Sequence, residues 1–226
     1  SSIASGSSLT LQGSTGSGTR SLGIAFTGTN RTMSIAGSLN LTDVGEGTSY
    51  NASNSVTTVT GILKNSDGSG GTVGTITSTA ANLIFASGGT YQHDLNAGTI
   101  PTATWNTGST CSVIGVTTTV PTVASFNQAF SNFTWNCPSQ TGDLSLIGEL
   151  LTVNGNFNVV ATNTGSLRLS NGNVTETLNV GGNFVQTGGT FYIAGTTATN
   201  TWIVNVAGDF SLTGGIFDLN GFATRD

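Results

Sequence analysis

Three stretches near the end of the chain share one pattern. A valine is followed by a free position, a glycine, a polar residue and a phenylalanine. They are Val153-Asn154-Gly155-Asn156-Phe157, Val180-Gly181-Gly182-Asn183-Phe184 and Val206-Ala207-Gly208-Asp209-Phe210. Their glycines stand about 27 and 26 residues apart. Ile35-Ala36-Gly37-Ser38-Leu39 and Val59-Thr60-Gly61-Ile62-Leu63 are earlier copies, about 24 apart. A second pattern, glycine then a small or apolar residue and usually an apolar one, follows at about 7 or 10 residues: Gly71-Thr72-Val73, Gly165-Ser166-Leu167, Gly189-Thr190-Phe191 and Gly215-Ile216-Phe217, with Gly89-Thr90-Tyr91 in the same set. Two motifs that keep step mark a structural repeat.

Within a copy the residues alternate. Val153, Gly155, Phe157 and Val159 are expected on one face of a strand, and Asn154, Asn156 and Asn158 on the other. One such copy cannot bury an apolar face alone, but stacked copies bury a continuous core. The expected fold is therefore all-β, a parallel β-helix (β-solenoid) with rungs of about 24–27 residues. Val153, Val180 and Val206 would stack inside, as would Phe157, Phe184 and Phe210. Asn156, Asn183 and Asp209 would form an outward ladder. The competing β-sandwich also has short strands and glycine turns, but it does not require two motifs at constant offset.

Composition agrees. Gly, Ser, Thr and Asn make up more than half of the 226 residues, 36% are hydrophobic and only 7% are charged. A helical protein is excluded by the scarcity of helix formers. Five Lys plus Arg and a net charge of −5 cannot build a nucleic-acid face. Disorder couples low hydrophobicity to high charge, which is not found here. No apolar run approaches the roughly 18 residues of a membrane span. The opening SSIASGSSLT is no signal peptide, so a cytoplasmic chain or a mature, processed piece is expected, and the composition favours the latter.

A single domain spanning 1–226 is expected. Residues 1–91 hold about four irregular rungs, beginning near Leu9, and residues 150–221 hold three regular ones. Between them, about 92–149 has a different texture, with all three prolines, both cysteines, Trp105 and Trp135, and the one histidine, His93. Longer or bulged strands, or a loop leaving the solenoid, are expected there. Cys111 and Cys137 are 26 residues apart, close to one rung. Equivalent positions on adjacent rungs sit about 4.8 Å apart, within reach of a disulfide. A bridge between Cys111 and Cys137 is the expectation, worth about 3 kcal/mol. Two buried free thiols are the alternative.

The runs GGTYQHD (88–94), TIPTATWN (99–106), STCSVIGVT (109–117), NFTWNCPSQTGDLSL (132–146) and LTVNGNFNV (151–159) carry a resemblance. They look like a block of large secreted Bacteroidota proteins that typically end in a sorting domain for type 9 secretion. It covers about residues 80–220. It implies export to the cell surface or medium and a repetitive β architecture, and little about activity. The chain departs from the pattern in lacking the sorting domain, which is expected to have been removed or to lie further along a longer polypeptide.

The inventory for chemistry is thin. Paired carboxylates beside a base would be needed for glycoside cleavage. Asp209/Asp218, Asp143/Glu149, Asp43/Glu46 and His93-Asp94 are available, but none recurs with a basic partner, and solvated turn carboxylates are expected. The turn Asn65-Ser66-Asp67-Gly68-Ser69-Gly70-Gly71 resembles a calcium loop but lacks its further acids, so calcium near Asp67 is a weak candidate. No zinc set, nucleophile elbow or phosphate loop is present. Tyr91, Trp105, Trp135 and Trp202 are the aromatics available to stack on sugar rings, unless they fill the core. Thr-x-Thr at Thr102/Thr104 and Thr117/Thr119 does not recur by rung, as an ice-binding face requires. Glycosylation sequons occur at Asn30, Asn40, Asn51, Asn132 and Asn173.

These features point to a non-enzymatic extracellular module, adhesin-like or filament-forming, without a cofactor. The expected partners are a second copy or further rungs of the same polypeptide, and a glycan, with no nucleic acid and no membrane span. The alternative is a β-helix that binds or cleaves polysaccharide.

Overall fold

The structure, a computed structural model, describes residues 1–13, 22–43, 47–67, 74–170, 175–195 and 201–220. Every strand pairing among them is parallel, and the one helical element is a 3-10 turn over Val123–Phe126. The chain is an all-β parallel solenoid. No described helix is long and apolar enough to cross a membrane.

Three faces build the solenoid. The second is continuous: nine strands, Ser8–Gln12, Ser38–Asp43, Ile62–Asp67, Thr90–Asp94, Thr110–Val113, Asn132–Asn136, Phe157–Ala161, Phe184–Gln186 and Phe210–Leu212, pair in chain order. The first face consists of Ser2–Ile3, Arg31–Ile35, Ser55–Val59, Leu83–Phe85 and Thr104–Trp105. The isolated bridge Phe130–Val153 carries it into a three-stranded sheet, Thr152–Val153, Glu176–Val180 and Trp202–Val206. The third face follows the second in chain order: Leu22–Ala25, Thr48–Asn51 and Thr75–Thr77 early, then Asp143–Ser145, Ser166–Arg168, Thr190–Ala194 and Ile216–Asn220.

Register aligns the core in columns. Leu9, Leu39, Leu63, Tyr91, Cys111, Phe133, Phe157, Phe184 and Phe210 are successive partners. Beside them run Leu11, Leu41, Asn65, His93, Val113, Trp135, Val159, Gln186 and Leu212. Val153, Val180 and Val206 stack as expected. The aromatic rings pack edge-on or stacked along the column, with centroids 5.7 Å apart for Phe133–Phe157 and 5.3 Å for Phe157–Phe184. Burying each such ring contributes about 1.5–3 kcal/mol.

The rungs are less uniform than the motif spacing implies. Thirty residues separate Leu9 from Leu39, but only twenty separate Tyr91 from Cys111. The segment 92–149 neither leaves the solenoid nor carries long strands. Its described strands have two to five residues, with one register shift between Trp135 and Asn136. In it the first face passes over the Trp105 and Phe130 side chains, whose rings lie 5.1 Å apart.

The repeated motif is a corner and not one strand. Val153 ends a strand of the first face, the chain bends at Asn154–Gly155, and Phe157 opens a strand of the second. Both side chains point inward because the backbone turns between them. Glycine is required because a Cβ at Gly155 would lie 2.5 Å from Asn132 Oδ1 and 2.8 Å from the Ser131 carbonyl. Gly89-Thr90-Tyr91 belongs to this first corner, since Tyr91 pairs with Leu63. The second motif turns the chain from the second face to the third at Gly165, Gly189 and Gly215; the last two adopt φ of 70° and 83°. Gly71-Thr72-Val73 lies outside the described residues.

Candidate functional site

The Asn ladder forms, and it is one rung longer than expected. The backbone N–H of Asn156 donates to Asn132 Oδ1 at 2.9 Å, that of Asn183 to Asn156 Oδ1 at 2.8 Å, and that of Asp209 to Asn183 Oδ1 at 2.8 Å. Each side chain thus satisfies the corner N–H of the following rung. The ladder ends on the Asp209 carboxylate.

The expected sugar-stacking aromatics are core residues. Tyr91 and Trp135 are wholly buried and Trp105 nearly so. Their inward register position places the next rung over each ring. The tryptophan N–H groups are answered from within: Trp105 Nε1 donates to Gln128 Oε1 at 3.1 Å and Trp135 Nε1 to Gln140 Oε1 at 2.8 Å. Trp202 is half-buried and packs against the core, and its Nε1 has no partner. No sugar ring can reach the faces of the three buried rings.

The expected disulfide is absent. Cys111 and Cys137 are both buried free thiols. Cys111 pairs with Phe133, because the rung here is twenty-two residues long. Cys137 therefore lies four residues past the partner of Cys111, just beyond the end of the strand Asn132–Asn136, and not opposite Cys111. Its Sγ donates to the Val113 carbonyl at 3.5 Å. Burial pushes the Cys137 thiol up to about 12 and pushes Cys111 well above its usual value, so neither is a thiolate nucleophile.

His93 and Asp94 do not form a pair. They point to opposite sides of their strand, and Asp94 holds Lys64 at 2.7 Å on the outer surface. His93 is buried, with Nε2 2.7 Å from the Ala97 carbonyl and Nδ1 3.1 Å from Tyr91 Oη. A carbonyl only accepts, so Nε2 carries the proton and Tyr91 donates to Nδ1. Desolvation lowers the His93 pKa to about 4, which keeps the ring neutral at pH 7.

The remaining carboxylates are scattered. Asp143 accepts from Ser166 Oγ at 2.7 Å, and Asp218 lies on the third face, in register with Tyr192. Among the described residues no three His, Cys, Asp or Glu side chains converge as a metal site. Of the calcium-like turn, Asn65 and Ser66 are buried, Asp67 ends its strand exposed, and residues 68–71 lie outside the described residues, as do Glu46 and the Asn173 sequon.

Two surface features escaped the sequence reading. On the third face Ser145, Arg168, Tyr192 and Asp218 are register partners in turn, with the Arg168 guanidinium 6.0 Å from the centre of the Tyr192 ring. At the corner between the third and first faces, three successive turns leave an open groove of about 560 Å³. Thr29, Asn30 and Arg31 line it on one rung, Ser53, Asn54, Ser55 and Val56 on the next, and Thr79, Ala81 and Asn82 on the third. No motif marks it, because its members share a position in space and not a spacing.

The two ends of the solenoid expose core positions. Phe210 is 48% exposed where its partner one rung earlier, Phe184, is 1% exposed. Leu212 and Leu219 are exposed beside it, and Leu9 is exposed at the opposite end. No family model, curated protein or solved structure matches this chain.

Proposed function

We propose that this chain is a non-enzymatic structural module of extracellular material, and that it assembles head to tail by adding one solenoid onto the end of another. The observation that supports this reading is the last rung. Phe210 and Leu212 occupy columns that are sealed further inside, and among the described residues their strand, Phe210–Leu212, has a partner on only one side. An exposed strand edge over apolar side chains is a template for another strand. The Asp209 carboxylate ends the Asn ladder and would accept the corner N–H of an incoming rung, as Asn183 accepts that of Asp209. At the opposite end the strand Ser8–Gln12 has a partner on only one side among the described residues, with Leu9 39% exposed, and would receive the last strand of another copy. Export to the surface rests on the resemblance to secreted Bacteroidota proteins and on the hydroxyl- and amide-rich, nearly uncharged composition.

Electron microscopy and sedimentation over a range of concentrations test the assembly. Rods that lengthen with concentration in steps of one chain are expected. A Phe210→Lys, Leu212→Lys double variant should remain as single short rods. Wild-type protein that stays as single rods at every concentration overturns the reading.

A further inference from the structure

We propose that the corner groove is a binding site for an acidic saccharide, a chain of hexuronate units lying along the solenoid axis. The inference is independent of end-to-end assembly. The groove has the volume of a small-molecule site, for which about 300–1,000 Å³ is usual. Such sites are mostly apolar with a few placed polar groups, and here carbon supplies most of the lining surface while eight of the ten lining residues, all but Val56 and Ala81, carry a hydroxyl, a carboxamide or the Arg31 guanidinium. That lining matches a ligand with many hydroxyls and small apolar ring faces. Three rungs span about 10 Å at roughly 4.8 Å each, enough for two sugar units in sequence.

Several of the polar groups are set in place. Asn54 Nδ2 donates to the Phe26 carbonyl at 2.9 Å, which leaves its Oδ1 as an acceptor toward the groove. Asn82 Oδ1 accepts from the Thr79 N–H at 2.6 Å, which leaves its Nδ2 as a donor. Amides held in this way lose little freedom on binding.

The charge comes from Arg31. Of the described cations, Lys64 is paired with Asp94 and Arg168 lies by Tyr192. Arg31 makes no ion pair with a described residue, is exposed, and has no carboxylate among its groove neighbours. Its guanidinium lies over Gly28, where a Cβ would come within 2.6 Å of Nε. A guanidinium grips a carboxylate through two parallel N–H···O bonds. In a chain of net charge −5, this places an exposed guanidinium with no acid beside it at the edge of a groove rich in hydroxyls and carboxamides.

Calorimetric titration with a uronic-acid tetramer, and with a neutral glucose tetramer of equal length, tests the proposal. Wild type should bind the uronate, more weakly as salt is raised, and bind the neutral tetramer at least tenfold more weakly. Arg31→Ala should lose about tenfold or more of the uronate affinity. Arg31→Lys keeps the charge without the fork and should lose less. Gly28→Ala keeps the arginine but displaces it, and should weaken uronate binding as well. Arg31 is exposed, so the variants are expected to match wild type in circular dichroism and melting. Equal affinity of wild type and Arg31→Ala for the uronate, equal affinity for the two tetramers, or no uronate binding by wild type at millimolar ligand overturns the proposal.

Discussion

At the scale of single residues, burial decides what each reactive-looking group can do. His93, Cys111 and Tyr91 are the residues a sequence reader reaches for first, and all three lie in the inward columns. The consequence for His93 is measurable. Its folded pKa, about 4, lies below the ordinary 6.5, so between those values the unfolded chain holds more protons than the native one. Stability is therefore full above about pH 6.5 and falls as the pH drops toward 4, by about 3 kcal/mol for this group. Urea unfolding at pH 7 and pH 4.5 should show this loss in wild type and a smaller one in His93→Gln, whose side chain does not titrate. An equal loss in both proteins would contradict the assignment. The outward Asn ladder was legible from spacing alone, because one residue per rung on one face must stack. The fate of the aromatics was not, since an inward and an outward ring give the same letter in the sequence.

At the scale of elements, the corner is the unit that repeats. A glycine lets one rung approach the next, and the polar residue after it ties the two together. Gly182 shows the coupling: a Cβ there would lie 2.5 Å from Asn156 Oδ1 and 2.8 Å from the Gly155 carbonyl carbon. Gly182→Ala should cost about 1–3 kcal/mol by forcing the rungs apart. Asn156→Ala should cost about 1 kcal/mol through the lost bond to the Asn183 N–H. The double variant should cost less than the sum, since the alanine at 156 removes one of the atoms that the new methyl meets. Chemical denaturation of the four proteins reads this directly, and strict additivity would show that the two side chains act separately. The motif located these corners in the sequence. It did not distinguish a corner from a straight strand, because a bend between two inward side chains mimics strand alternation.

At the scale of the whole molecule, the same residue type has different worth along one column. Phe157 is enclosed by Phe133, Phe184 and Phe191, with centroids 5.7, 5.3 and 5.6 Å away. Phe210 stacks on Phe184 at 4.9 Å and meets Phe217 at 5.0 Å, but 48% of it is exposed. Phe157→Ala should cost about 3–5 kcal/mol through the cavity it leaves. Phe210→Ala should cost well under half of that in dilute solution, where the end is uncovered. Comparable losses of melting temperature in both would show that the last rung is sealed. The sequence by itself determined the repeat, the β character, the inward valine and phenylalanine stacks and the outward Asn ladder, because these depend on periodicity, and periodicity is a property of the chain. Only the tertiary structure decided the rung lengths through 92–149, the separation of Cys111 from Cys137, the burial of Tyr91, Trp105 and Trp135, and the groove around Arg31. Those depend on register between rungs, and register is set where side chains from distant parts of the chain meet.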